Sequence, residues 1–368
     1  MHTVLRWTAL SVGLAMVAGT LLNLSRSPHW FVRGWDFPRV QIVMLAGAAG
    51  LVYAWCCNRG DPADLAFLAA VAATCAWQFY RIYPYTPLAP RRVKPSRRPP
   101  ADERRRLRLL ISNVCMENTA HERLLGMVRE ADPDVVLAVE TNERWIRALE
   151  PLAADYPYVL RQPQDNWFGL VLFSRLPLRD ARIEFMVQED VPSVHAELEL
   201  AGQRVVLRGL HPRPPEPVRD QDSTPRDAEL VLVGKWIAKQ GSVPVVVAGD
   251  LNDVAWSDTT RLFLRLSGLL DPRMGRGFYN TFHAHNPLIR WPLDHVFHSN
   301  HFRLVELRRC GDIGSDHFPV LIELSYEPDA PAEQPESRSS AADEKEAQER
   351  LETQAEAART GEDRPGAE

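Results

Sequence analysis

Residues 243–252, VPVVVAGDLN, limit what this chain can fold into more than any other stretch. Pro244 opens four small or β-branched apolar residues, Val245, Val246, Val247 and Ala248, and Gly249, Asp250 and Asn252 follow. A short β-rich run without polar alternation reads as a strand buried on both faces, inside a sheet that is covered on both sides. The run then delivers a carboxylate and a carboxamide two residues apart. Positions i and i+2 of an extended segment face the same side, so Asp250 and Asn252 address one small volume. Oxygen donors at a buried strand end suit a hard cation such as Mg²⁺ with a phosphate beside it. Taken alone, the segment reads equally well as a buried strand closing in an Asp/Asn turn.

The first 83 residues have a different character. Runs 7–24, 40–57 and 65–80 are uncharged and mostly apolar. Their lengths approach the 18–20 residues that cross a bilayer core, which predicts membrane spans over about 5–24, 40–57 and 64–82. A cleaved leader would be followed by soluble sequence, and here a second apolar run follows. Trp30, Trp35, Trp55, Trp77, Tyr80 and Tyr83 lie near the run ends, where amphipathic rings favour the headgroup zone.

Residues 84–106 form a Pro- and Arg-rich linker whose charge suits anionic lipid headgroups; nucleic-acid binding is the rival reading of that run. With three spans, the 25–39 loop and the linker share one side and hold Arg26, Arg33, Arg39 and the Arg cluster. That bias predicts a multi-pass protein of the bacterial plasma membrane with its main domain in the cytoplasm. If the third run does not span, loop 25–39 lies opposite. Residues 327–368 hold 13 Asp and Glu against five Lys and Arg, a net of −8 in a chain of −5. The acidic balance therefore belongs to the tail, which is expected to be disordered apart from a transient helix near 344–358. The cysteines at 56, 57, 75, 115 and 310 have no CxxC spacing, which argues against a disulfide framework or a zinc site.

Between 107 and 326 strands alternate with helices. Strands are predicted over 107–114, 134–139, 169–174, 194–200, 204–210, 243–252, 293–298, 302–307 and 318–324, with helices over 122–130, 142–152, 228–239 and 259–266. Strand pairs at 194–210 and 293–307 read as hairpins. The mixture suggests an α/β fold of two packed mixed sheets with helices outside. Polar residues stand at the ends of the buried strands. Asn113 ends the first, Glu140 follows VVLAV, His211 follows VVLRGL, and Asp250 and Asn252 end the organising strand. Asp294 begins DHVF, and Asp316 and His317 precede the last strand. Each has a plain reading as a cap or turn. Together they form a set that a tertiary fold can gather into one site.

Taken in order, Asn113, Glu140, His211 in LHP, then GDLN, LDHVF and SDH resemble the endonuclease/exonuclease/phosphatase superfamily. That group includes DNase I-like nucleases, apurinic endonucleases, bacterial sphingomyelinases and inositol polyphosphate 5-phosphatases. The resemblance covers about 107–326 and leaves out the apolar segments and the tail. It implies a four-layered α/β sandwich and phosphoester hydrolysis with Mg²⁺, or Mn²⁺ in its place. It implies Glu140 as principal metal ligand, with Asn113 and Asp316 beside it. It implies Asp250 on the attacking water, Asn252 and His211 on the phosphate, and His317 as acid or electrostatic stabiliser with Asp294 fixing its tautomer. Many relatives carry Arg-Ile-Asp where this chain has Trp291-Pro292-Leu293-Asp294, so the arginine is displaced to Arg290.

Other candidates read more plainly. His283 and His285 suit a groove or surface better than a metal. His295, His298 and His301 alternate faces and form no cluster. Asn166 and Trp167 precede FGLVLFS and could border the groove, whereas Phe278 and Trp291 read as core. The expected function is a membrane-anchored phosphoesterase acting on nucleic acid, a lipid headgroup or a soluble ester, with the bilayer as partner and no obligate protein partner. The alternative is a scaffolding or phosphate-binding protein that keeps the fold without the chemistry. A fragment from about Arg104 to Tyr326 is expected to be soluble and active.

Overall fold

The computed structural model describes residues 1–57, 61–97, 103–217 and 222–360. Three long helices come first: α1 (His2–Asn23), then, after the short α2 (Trp30–Gly34), α3 (Arg39–Cys56) and α4 (Pro62–Ile82). All three are long and apolar enough to cross a membrane. Polar clamps fix their directions. At one end Arg6 of α1 bonds Asp64 of α4, which also accepts from Tyr53 of α3. At the other, Gln78 of α4 bonds Asn23 of α1 and accepts from Arg39 of α3. So α1 and α4 run parallel and α3 runs back between them. Leu14, Leu21, Met44, Leu45, Leu51 and Leu65 point outward and exposed, as lipid-facing residues would.

The segment expected as a free linker is packed on the domain as far as Pro95 and beyond. Ser96 N–H donates to Leu304 O, and Leu304 N–H to Lys94 O, which covers a sheet edge that would otherwise offer unpaired backbone. Arg97 pairs with Glu333, and Arg92 donates to Pro335 O. Part of its basic charge is therefore spent on the acidic segment, and up to Arg97 it is less a lipid-facing strip than a seam. Residues 98–102 lie outside the described residues.

The main domain begins with β1 (Arg106–Asn113), α5 (His121–Ala131), β2 (Val135–Val139), α6 (Glu143–Leu149), β3 (Tyr158–Gln162), β4 (Leu170–Ser174) and β5 (Leu178–Glu184). It continues through β6 (Ser193–Leu200), β7 (Gln203–Gly209), α7 (Thr224–Ala238), β8 (Val245–Asp250) and α8 (Asp258–Ser267). It closes with β9 (Asp294–His298), β10 (Phe302–Arg309) and β11 (Val320–Tyr326). One sheet has the order β10-β11-β1-β2-β4-β3 and the other β5-β6-β7-β8-β9. Each has one parallel pair, β1 with β2 and β7 with β8, flanked by antiparallel strands.

Alternation builds the layers. Leu107, Leu109 and Ile111 of β1 meet Val246 and Ala248 of β8 between the sheets. Leu110, Val136 and Val171 turn out to α5 and α6. Val245 and Val247 turn out to α7 and α8. The result is helix, sheet, sheet, helix, a four-layered α/β sandwich.

Two expectations are corrected. The 293–307 segment is not a hairpin: β9 pairs with β8 and β10 with β11, in different sheets. β9 is buried along its whole length, while β10 becomes exposed towards an edge, so the two strands need different neighbours. The tail contains an ordered helix, α9 (Ala341–Thr360), laid on α7 and α8. Ala347 and Leu351 pack on Val231, Leu262 and Leu266, and Arg350 reaches Asp227 and Thr259. A few well-placed contacts hold a helix whose composition alone reads as unfolded. The tail beyond 360 lies outside the described residues.

Candidate active site

The parallel pairs aim their carboxyl ends the same way, and the antiparallel neighbours start there. Asp250 sits opposite Asp294 in the β8–β9 register. All eight strand-end candidates lie at this end of the sandwich. Asn113, His211, Asp250, Asp294 and His317 are buried, and Glu140, Asn252 and Asp316 are partly exposed.

Asp250 is the centre. Its Oδ1 accepts the Asn252 N–H at 2.9 Å, and its Oδ2 accepts from Asn113 Nδ2 at 3.0 Å. The same oxygen lies 3.6 Å from His317 Nε2 and 3.9 Å from His211 Nε2. His317 Nδ1–H donates to Asp294 Oδ2 at 2.8 Å, which orients the ring and aims Nε2 at Asp250. The backbone makes this convergence feasible. Gly249 has φ +142°, and a Cβ there would meet Leu210 O at 1.9 Å. Glu140 and Asn252 take left-handed φ values of 63° and 50°, which turn them off their strand directions.

The two histidines differ in charge. Burial opposes a charge on His317, but Asp294 and Asp250 outweigh it and hold the ring protonated to about 10. His211 is pushed down to about 3 by burial, with the His317 cation adding to the shift, and stays neutral. Burial raises Asp250 to about 6 and Glu140 to about 7, partly opposed in both by hydrogen bonding from Asn113 and by the charge of His317.

Asn113 lies between Glu140 and Asp250. Its oxygen accepts the Cys115 N–H at 3.0 Å, while Nδ2 donates to Glu140 at 2.7 Å as well as to Asp250. Its amide nitrogen spaces the two carboxylates. Asn252 commits one Nδ2 proton to Pro212 O at 3.0 Å, which holds the His211 loop. Asp316 lies close enough to Glu140 to oppose its charge.

Sequence reasoning missed Ser315, whose hydroxyl donates to Asn113 O and accepts the His317 N–H. A serine before an Asp-His pair at a strand start was the available signal. It also missed Arg226, buried between Asp227 and Asp253 and donating to Asn252 O. His295 is buried between Arg273 and Asp253 O, away from any metal role. His283 accepts the His285 N–H in an exposed turn. Asn166 donates towards Asp190 and accepts the Phe168 N–H, and Phe168 packs on His211.

The apolar helices reach this end of the domain. Residues 254–256, just past GDLN, are the seat: Tyr85 OH donates to Ala255 O at 2.6 Å, Arg81 to Trp256 O at 2.7 Å, and Trp256 Nε1 to Asp36 O at 2.8 Å. Val254, Trp256 and Leu293 pack with Ile82, Phe37, Phe278 and Trp291. Phe278 and Trp291 are partly buried and pack against a core shared with the apolar helices.

The sequence profile of the endonuclease/exonuclease/phosphatase family matches residues 110–317, and the chain belongs to that family. Its named activities all cleave phosphoesters. The fold is shared with a humanized D. rerio TDP2 at 18% identity, covering 60% of this chain and 99% of that one, with a TM-score of 0.52. D. rerio TDP2 complexed with a single-strand DNA product gives 18% identity over 60% and 99%, with a TM-score of 0.50. The human Nocturnin catalytic domain with bound sulfate gives 16% identity over 62% and 100%, with a TM-score of 0.50. No curated protein matches the chain.

Proposed function

We propose that this chain is a membrane-anchored, divalent-metal-dependent phosphoester hydrolase, with Mg²⁺ as its ion and Mn²⁺ as a substitute. The observation that carries the reading is Asp250 Oδ2, met by Asn113, His317 and His211 at 3.0, 3.6 and 3.9 Å. The donor set fits a hard cation. Glu140 and Asp316 offer only oxygen, and burial together with neighbouring carboxylates makes Glu140 hard to ionise without added positive charge. Glu140 would be the principal ligand and Asp316 would lie at the same end.

When bound, the ion neutralises phosphate charge and acidifies a water. The chain's own residues supply the rest. Asp250, oriented by the Asn252 N–H and Asn113, would take the proton of the attacking water. His317, kept protonated by Asp294, would stabilise a phosphoryl oxygen or return a proton to the leaving one. His211 is neutral and would hydrogen-bond the phosphate. The second amide proton of Asn252 would do the same. Asp294 is a positioning residue. The three apolar helices would span the membrane, with the domain on the side of Arg26, Arg33 and Arg39, the cytoplasmic side by charge bias.

The test is hydrolysis of bis-p-nitrophenyl phosphate by the full chain in detergent. Glu140→Gln keeps the shape and removes the charge. It is expected to lose nearly all turnover at limiting Mg²⁺ and to regain part of it at high Mg²⁺ or Mn²⁺. Unchanged activity at limiting metal removes Glu140 from the site. A wild type with no metal-dependent turnover removes the reading.

A further inference from the structure

We propose that the loop at 283–290 dips into the bilayer beside α3, and that the substrate is a phosphoester carried by a lipid of that bilayer. Leu288 and Ile289 stand at the tip of a turn, 79% and 43% exposed. Single exposed apolar residues need no explanation. These two are distinguished by where they are tied. Leu288 O accepts from Gln41 Nε2 at 2.9 Å, and Gln41 lies in the first turn of α3. Met44 and Leu45, three and four residues further on, share that face of the helix and are 68% and 49% exposed. Helical rise puts them about 5–6 Å deeper along the span. The loop tip therefore continues the outward apolar surface of α3 at the level where the span begins. A bilayer that covers Met44 and Leu45 has its headgroup layer at Leu288.

The other end of the loop is rooted in the site. Ala284 N–H donates to Asp316 O at 2.6 Å. The Phe282 ring lies 4.9 Å from His317 and stacks on Trp291, whose edge meets Phe37 at 5.4 Å. Arg290 and Arg309 both lie over the Phe318 ring, at 5.0 and 4.5 Å, next to His317 in the chain. Held cations beside the site at headgroup depth suit the phosphate of a lipid. A nucleic acid would meet this side of the site covered by membrane.

This inference rests on the hydrolase and membrane readings above. In the step it concerns, the oxygen of water forms a bond to phosphorus and the ester P–O bond breaks. The proton lost by the water goes to the leaving alkoxide of lipid or headgroup.

The full chain is reconstituted in vesicles of phosphatidylglycerol, phosphatidylethanolamine, phosphatidylinositol and sphingomyelin with Mg²⁺. Released headgroup phosphorus and new lipid species are measured, with bis-p-nitrophenyl phosphate and a single-stranded oligonucleotide as parallel substrates. The wild type is expected to turn over lipid. Leu288→Asp/Ile289→Asp, at exposed positions, is expected to lose at least tenfold on lipid and to stay within twofold on the soluble diester. A wild type that cleaves the soluble diester or the oligonucleotide but no lipid overturns the inference alone. So does a double variant that loses nothing on lipid, or loses both activities alike. A wild type idle on every substrate overturns the hydrolase reading together with it.

Discussion

The His317–Asp294 pair gives the most discriminating prediction. His317 keeps its proton to about 10 where a free imidazole releases it near 6.5. That difference amounts to about 5 kcal/mol in favour of the charged ring, shared between Asp294 at 2.8 Å and Asp250 at 3.6 Å. A positioned acid or cation contributes roughly 10²–10⁴ to the rate, so His317→Ala is expected to lower kcat/KM by about 10³. In the proposed roles Asp294 acts through His317. Asp294→Ala/His317→Ala is therefore expected to lie within about threefold of His317→Ala, since residues that act as a unit are not additive. Asp294→Asn keeps a contact but removes an anion, and is expected to cost roughly 10–10². Removing the anion also favours the neutral ring, so the alkaline limb of the rate profile, near pH 10 in the wild type, moves to lower pH in Asp294→Asn. The assay is bis-p-nitrophenyl phosphate hydrolysis from pH 6 to 11, with melting temperatures as control. Two additive losses in proteins of unchanged melting temperature, or an alkaline limb that stays in place, would refute the dyad.

Gly249→Ala is expected to destabilise by about 3 kcal/mol or more, because it forces a side chain onto a glycine backbone against the Leu210 carbonyl. Thermal unfolding in detergent measures it, and a wild-type melting temperature contradicts it. The fragment from Arg104 to Tyr326, expected from sequence to be soluble and active, is now expected to self-associate. It uncovers Val254, Trp256 and Leu293, and Trp256 alone forfeits about 2–3 kcal/mol of burial. A monodisperse fragment on gel filtration with wild-type turnover contradicts this.

The sequence carried the fold class and the strand-end residues that the fold gathers at one end of the sandwich. Asn113, Glu140, His211, Asp250, Asp294 and His317 were legible because buried strands are apolar throughout, so a polar residue at a strand end stands out. Their partners were not. The turn of the Asn113 oxygen to Cys115 depends on a left-handed residue at 115 that no spacing announces. The edge strands β3 and β5 escaped notice because half-exposed strands mix Arg and Asp with their apolar residues. The 293–307 segment looked like a hairpin because local pattern does not say which sheet a strand joins. Trp291 and Phe278 read as core, but only tertiary structure shows that the core belongs jointly to the catalytic domain and the apolar helices. The tail helix depends on Arg350 finding Asp227, 123 residues away in sequence.

In the proposed reaction Glu140 and Asp250 help this site to direct water onto phosphorus. Turnover of bis-p-nitrophenyl phosphate by the full chain with Mg²⁺ in ¹⁸O-labelled water tests it directly, read by mass spectrometry of both products. One ¹⁸O is expected in p-nitrophenyl phosphate, none in p-nitrophenol, and no labelled product from Asp250→Asn. Label in the nitrophenol, or labelled phosphate formed equally well by Asp250→Asn, would contradict it.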